Sequence, residues 1–218
     1  MTIELTALFG GTFDPIHYGH LLPVIALAKE VNLTHVSLLP NYIPPHKPQP
    51  VATTEQRLDM LRLAISDYPL FSIDCREITQ AKSERPSFTI ETLQSWRQEH
   101  GNKKNLAFII GQDSLLNLPS WYNWQKLLDY CHLLVCQRPG YSQQINDPQL
   151  KQWLKAHQTE SVDDLHQNPN GFIYVAHTPL KNISATEIKQ RIHHRQDCQA
   201  FLPPKVWQYI QNHHLYNA

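Results

Sequence analysis

The sequence predicts a doubly wound (Rossmann-like) α/β fold, a mainly parallel sheet with helices on both faces and a small helical part near its end. Three observations predict it. Apolar strand-like runs alternate with amphipathic helical segments along most of the chain. One run, "LAFIIG", is apolar enough to be buried on both faces. The unusual local motifs each follow a strand-like run, and such sheets bind ligands at the carboxyl ends of their strands.

In chain order, residues 3–9 ("IELTALF") and 35–40 ("HVSLLP") read as strands, with a helix on "HLLPVIALAKEV" between them. The proline-dense stretch "PNYIPPHKPQP" excludes helix. A second helix starts at "TTEQRLDMLRLAI", where Thr53 and Gln56 have capping-box spacing. "LFSIDCREI" reads as the third strand, "FTIETLQSWRQEH" as the third helix, "LAFIIG" as the fourth strand and "HLLVCQR" as the fifth. Residues 141–170 are more polar and read as an irregular excursion. "FIYVAH" supplies a last strand, and "SATEIKQRI" and "PPKVWQYIQNHH" two closing helices. The 218 residues are expected to form a single domain, with the helical segment at about 184–214 packed on it.

Composition narrows the function. Hydrophobic residues make up 41% and charged residues 17%, which excludes a disordered chain. Lys+Arg and Asp+Glu both total 19, so no net field draws the protein to nucleic acid or an anionic membrane. Phosphate chemistry, if present, needs a local site. The first residues carry no secretory-signal pattern, and "LLPVIALA" is far shorter than the roughly 20 apolar residues of a membrane span. Cys75, Cys131, Cys136 and Cys198 show neither C-x-x-C nor zinc-like spacing, so reduced thiols and a cytoplasmic setting are expected.

The stretch "ALFGGTFDPIHYGH" holds the clearest chemistry. Gly10 and Gly11 after a buried strand permit a sharp turn and the close approach of a ligand, and the following helix start offers free N–H groups. Neither G-x-x-x-x-G-K-[ST] nor G-x-G-x-x-G is present. Instead His17 and His20 stand three residues apart, on one face if the segment is helical. Such a pair can donate to phosphate oxygens, be plain polar positions at a helix start, or ligate a metal. No third ligand has convincing spacing for zinc, so no metal held by the protein's own residues is expected.

"GGTFDPIHYGHL" resembles the first signature of the nucleotidyltransferase α/β-phosphodiesterase superfamily, H-x-G-H after the first strand. "NISATEIK" resembles its second, I-S-x-T-x-x-[RK], with Ile183, Ser184, Thr186 and Lys189. Ser184 and Glu187 alone also make a capping box. "PNYIPPHK", "FIIGQDSLLNLPSWYNW" and "VCQRPGY" follow in order, and together these segments resemble the bacterial nicotinate-nucleotide adenylyltransferase family from residue 7 to about residue 210.

That resemblance implies adenylyl transfer from ATP, with Mg²⁺, to nicotinate mononucleotide, giving nicotinic acid adenine dinucleotide and pyrophosphate. It implies His17, His20 and Lys189 as catalytic residues. Gly10, Gly11, Thr12, Phe13, Gly111, Ser184 and Thr186 would join them in binding ATP. For the mononucleotide it implies Trp121 under the ring, Tyr122 and Thr89 at the carboxylate, His46 and Lys47 at the phosphate, and Asp113 and Arg138 nearby. Each has a plainer reading: aromatic residues filling a core corner, "PPHK" as an exposed linker, Asp113 as a turn residue, Arg138 in a surface ion pair. Lys189 stands where many members carry Arg, which keeps the charge and loses the bidentate fork. Arg191 either shares that role or faces solvent. The alternatives are an adenylyltransferase for phosphopantetheine or nicotinamide mononucleotide, discriminated by "SWYNW", and a nucleotide-binding regulator without turnover.

Overall fold

A computed structural model describes residues 4–42, 49–79, 88–136, 145–176 and 183–217. Seven strands form one all-parallel sheet: β1 (Leu5–Gly11), β2 (His35–Pro40), β3 (Phe71–Ile73), β4 (Asn105–Gly111), β5 (His132–Cys136), β6 (Gln158–Thr159) and β7 (Ile173–Val175), in the order β3-β2-β1-β4-β5-β7-β6. The predicted class is therefore observed. Chain order reverses between β1 and β4, and their carboxyl ends, Gly11 and Gly111, open the crevice where such sheets take ligands.

Alternation along the strands divides the core in two. Ala107 and Ile109 of β4 face a layer containing α1 (Tyr18–Glu30) and α2 (Thr54–Ile65), and α8 (Ala185–His193) and α9 (Pro204–Asn212) complete that layer. Leu106, Phe108 and Ile110 face the other layer, where α4 (Thr89–His100) contributes Ile90, Leu93 and Trp96, and α6 (Pro148–His157) contributes Leu150 and Leu154. The closing helices α8 and α9 thus share the core of α1 and α2. Lys205 on α9 reaches Asp67 at 3.0 Å and fastens that contact at the surface.

Local chemistry explains most element starts. Thr53 and Gln56 form the expected reciprocal cap on α2, with distances of 2.9 and 3.2 Å. Three readings are corrected. The third strand stops at Ile73, because Asp74 turns the chain by accepting from the Arg76 N–H, and α3 (Arg76–Thr79) follows. The described part of the 141–170 excursion is regular: Asp147 caps α6 by accepting from the Leu150 N–H, Pro148 occupies its first turn, and β6 and α7 (Val162–Gln167) follow. The first helix begins at Tyr18, so His17 is its cap residue.

Burial of His132 at the start of β5 makes stability depend on acid. Its Nδ1 accepts from the Phe172 N–H at 3.1 Å and its Nε2 meets the Asn168 carbonyl at 2.9 Å, which fixes the neutral ring with the proton on Nε2. Burial lowers its pKa to about 4. The unfolded chain takes up this proton below its ordinary pKa near 6.5 and the folded chain does not, so stability is full above pH 6.5 and declines from there toward pH 4. The expected loss is about 3 kcal/mol across that window. Urea unfolding of wild type and His132→Gln at pH 7.5 and 4.5 reads it as a smaller pH effect in the variant; identical pH effects would contradict it.

Candidate active site

The end of β1 builds the first wall of the site. A Cβ on Gly11 would lie 2.7 Å from the Phe13 ring, so glycine is needed for the chain to fold back over that ring. Phe13 has φ +50°, a left-handed backbone that only a tightly fixed turn sustains. The fixing groups are close. Arg57, buried on α2, donates to the Thr12 carbonyl at 2.8 Å, Asn41 donates to the Thr12 hydroxyl at 3.3 Å, and the Asn41 N–H donates to the Gly11 carbonyl at 3.1 Å. Phe13 is 1% exposed, so its ring packs inside the turn.

The two histidines do share one face. Their rings stack at 3.7 Å with 25° between planes, and the Phe13 ring meets His20 edge-on at 5.2 Å. His17 is 3% exposed, while His20 is half-buried. The His17 N–H donates to His20 Nδ1 at 3.3 Å. In the neutral ring the proton is then on Nε2, which makes His20 a donor on its far side.

The second motif lies against the first. A Cβ on Gly19 would stand 2.7 Å from the Ile183 carbonyl oxygen and 2.9 Å from the His17 ring, so the glycine of H-x-G-H admits the backbone of the late motif. The Tyr18 N–H donates to the Phe201 carbonyl at 2.9 Å and closes the same seam. Ser184 caps α8 by accepting from the Glu187 N–H at 3.1 Å, which leaves its own hydroxyl proton to be given elsewhere. Thr186 is exposed in the first turn of α8. Arg191 pairs with Glu187 at 3.3 Å and lies over the Phe201 ring at 4.6 Å, so it belongs to the surface of α8 and not to this cluster.

Lys189 turns toward Asp14, a residue the sequence reading did not single out. Its ammonium donates to Asp14 Oδ2 at 3.1 Å. The carboxylate is 3% exposed and also accepts from the N–H groups of Val51 and Ala52 and from the Tyr216 hydroxyl. Burial works to raise the Asp14 pKa, but the Val51 N–H, the Tyr216 hydroxyl and the Lys189 charge outweigh it and hold the group below its usual value. Asp14 stands inside the first motif, so its neighbours offered one signal. Arg57 and Tyr216 offered none.

At the end of β4, a Cβ on Gly111 would meet Asp113 Oδ1 at 2.7 Å, so this carboxylate sits directly over the strand end. Asp113 lies in the first turn of α5 (Gln112–Leu116). A 3-10 turn, Leu118–Ser120, leads to Trp121, which is half-buried against the second core, and to Tyr122, which is 54% exposed. Tyr122 and Phe88 have ring centroids 5.1 Å apart, and Phe88 directly precedes Thr89 at the start of α4. The "SWYNW" loop and Thr89 are thereby joined through Phe88, which the sequence reading missed. Trp124 packs edge-on against Trp153 of α6 at 5.0 Å and, partly buried, lies against the second core. His46, Lys47 and Arg138 lie outside the described residues.

Among the described residues, no group of three His, Cys, Asp or Glu side chains is placed to hold a metal ion. Each oxygen of Asp14 already accepts two donors. No helix is long and apolar enough to cross a membrane among the described residues.

Comparison with known proteins gives three kinds of likeness. The family profile described as "Cytidylyltransferase-like" matches residues 8–191. A Yersinia pestis protein named "Probable nicotinate-nucleotide adenylyltransferase" is 57% identical over 215 residues, covering 99% of this chain and 96% of its own. A Pectobacterium atrosepticum protein of the same name is 55% identical over 213 residues, covering 98% and 99%. In fold, the chain is similar to a Plasmodium falciparum nicotinic acid mononucleotide adenylyltransferase solved with NaAD, at a TM-score of 0.69 and 18% identity, covering 98% of this chain and 97% of that one.

Proposed function

Because the chain belongs to the nicotinate-nucleotide adenylyltransferase family, within the cytidylyltransferase-like proteins, we infer that it transfers the adenylyl group of Mg·ATP to nicotinate mononucleotide. The products are nicotinic acid adenine dinucleotide and pyrophosphate, a step of NAD synthesis. The observation that carries the inference is the seam between the two motifs, where Gly19 admits the Ile183 backbone beside His17 and His20 at the crevice of the sheet.

The mononucleotide phosphate is already ionised near neutral pH, so the reaction needs no general base. One of its oxygens attacks the α-phosphorus of ATP in line, and the bond from that phosphorus to the oxygen bridging the β-phosphorus breaks. Catalysis then consists of alignment and of stabilising charge on the transferring group and the leaving pyrophosphate. His20 Nε2–H, the Ser184 hydroxyl and two protons of the Lys189 ammonium are the donors in this reading, with His17 stacked behind His20. Gly10, Gly11, Thr12, Phe13 and Gly111 offer backbone to the nucleotide, and Thr186 lies at the start of α8. Enzymes of this kind generally use a divalent metal. The described residues form no cage for one, and Mg²⁺ typically binds through substrate phosphates and water. In this reading the ion enters with the substrate as Mg·ATP.

For the acceptor, the pyridinium ring would lie on Trp121, with Tyr122, Thr89 and Asp113 around its carboxylate and ribose, and His46, Lys47 and Arg138 completing the site. The Phe88–Tyr122 contact supports this grouping. Replacing Trp121 by alanine is expected to raise KM for the mononucleotide about tenfold and to spare KM for ATP, because a cation–aromatic contact is lost on one substrate only. Equal losses for both substrates would indicate a folding defect. The four free thiols support a reducing, cytoplasmic setting.

The stereochemical course tests the reaction itself. ATP carrying one α-sulfur of known configuration should give a dinucleotide inverted at that phosphorus, as one direct displacement requires. Retention, or no dinucleotide, would overturn the reading.

A further inference from the structure

Asp14 lies between the left-handed turn at Phe13 and the histidine pair, and its carboxylate is held from three other parts of the chain. Oδ2 accepts from the Val51 N–H at 3.0 Å and from Lys189 at 3.1 Å. Oδ1 accepts from the Ala52 N–H at 3.2 Å and from the Tyr216 hydroxyl at 2.8 Å, across 202 residues of sequence. Tyr216 is 9% exposed and has φ +63°, a strained backbone kept only where its surroundings fix it. The Lys189 ammonium also lies 6.0 Å from the centroid of the Tyr216 ring. One tyrosine therefore touches both members of the Asp14–Lys189 pair.

We propose that Tyr216 is a positioning residue for the phosphate site: its hydroxyl fixes the Asp14 carboxylate, and the carboxylate fixes the ammonium that Lys189 presents to ATP. The proposal rests on the adenylyl-transfer reading. With both oxygens doubly satisfied, the buried carboxylate has no freedom to rotate and compete with a phosphate for Lys189. Burial and the Asp14 charge keep the tyrosine protonated, so its hydroxyl stays a donor. Without that hydroxyl, Oδ1 keeps only the Ala52 N–H. The carboxylate then turns toward Lys189 and draws its charge away from the substrate.

The test uses the full chain and three variants, with initial rates measured while each substrate is varied. Tyr216→Phe keeps the ring and removes the donor. Asp14→Asn keeps the shape and removes the charge that Lys189 meets. Tyr209→Phe is the control, since its hydroxyl joins α9 to Asp59 of α2 at 3.3 Å, outside the phosphate cluster. Tyr216→Phe is expected to lower kcat/KM for Mg·ATP about fivefold while KM for the mononucleotide stays within about twofold. Asp14→Asn should show the same split with a larger loss, and Tyr209→Phe no change. Wild-type kinetics in Tyr216→Phe, or an equal loss in Tyr209→Phe, would overturn the proposal and leave the reaction intact. A wild type that releases no pyrophosphate would overturn both.

Discussion

Replacing His20 by alanine is expected to lower kcat on the order of a hundredfold, the usual consequence of removing one fixed donor from a developing charge. The ring is held on three sides: His17 stacks on it at 3.7 Å, Phe13 meets its edge, and the His17 N–H occupies Nδ1. These contacts hold the ring in one orientation, so truncation removes a preorganised group from the crevice. The fold should survive, because the ring is half-buried while the core beside it is carried by Phe13, Ile16 and Leu21. Steady-state rates and a thermal melt on the same preparation check both halves. Unchanged turnover would remove the histidine pair from the mechanism.

The largest expected effect on stability lies at the other end of the sheet. Arg97 on α4 is 5% exposed and donates to the carbonyls of Tyr130 at 2.8 and 2.6 Å, Gly101 at 3.1 Å, Lys104 at 2.7 Å and Pro169 at 2.9 Å. One planar group thus ties α4 to the chain entering β5 and to the loop before β7. Arg97→Ala removes these five charge-assisted bonds from a buried guanidinium and leaves the Pro169 carbonyl with the Leu106 N–H, and the expected cost is about 3–5 kcal/mol. Lysine is not expected to restore it, since a single ammonium cannot span four carbonyls spread across a guanidinium fork. Urea unfolding measures the loss, and a change below about 1 kcal/mol would contradict this account.

Legibility in the sequence followed the range of the interactions concerned. β4 and β5 were readable because burial on both faces makes them near-continuous apolar runs, and β1 and β2 because they keep shorter apolar stretches. The cap at Thr53 was readable because its partners are three residues apart. β6, two residues long, is too short for any period to register, and it exists through its pairing with Ile173 and Tyr174. α6 carries a start signal in Asp147-Pro148, but its apolar stripe of Leu150 and Leu154 is thin within a polar segment.

The same division holds in the site. His17, His20, Ser184 and Lys189 were visible as spaced motifs. The contact between Gly19 and Ile183 and the clamp on Asp14 were not, because they join residues 175 and 202 positions apart in the case of Lys189 and Tyr216. Arg191 looked equivalent to Lys189 by charge, and only the fold separates them, by turning Arg191 onto Phe201 and Lys189 onto Asp14.

The most direct measurement of the central claim is pyrophosphate release from Mg·ATP by the purified protein, with nicotinate mononucleotide, nicotinamide mononucleotide and phosphopantetheine compared in parallel. The account predicts release that strongly favours the nicotinate form. Release favouring another acceptor would contradict the assignment of the "SWYNW" side of the crevice, and no release with any acceptor would contradict the assignment of the phosphate site as well.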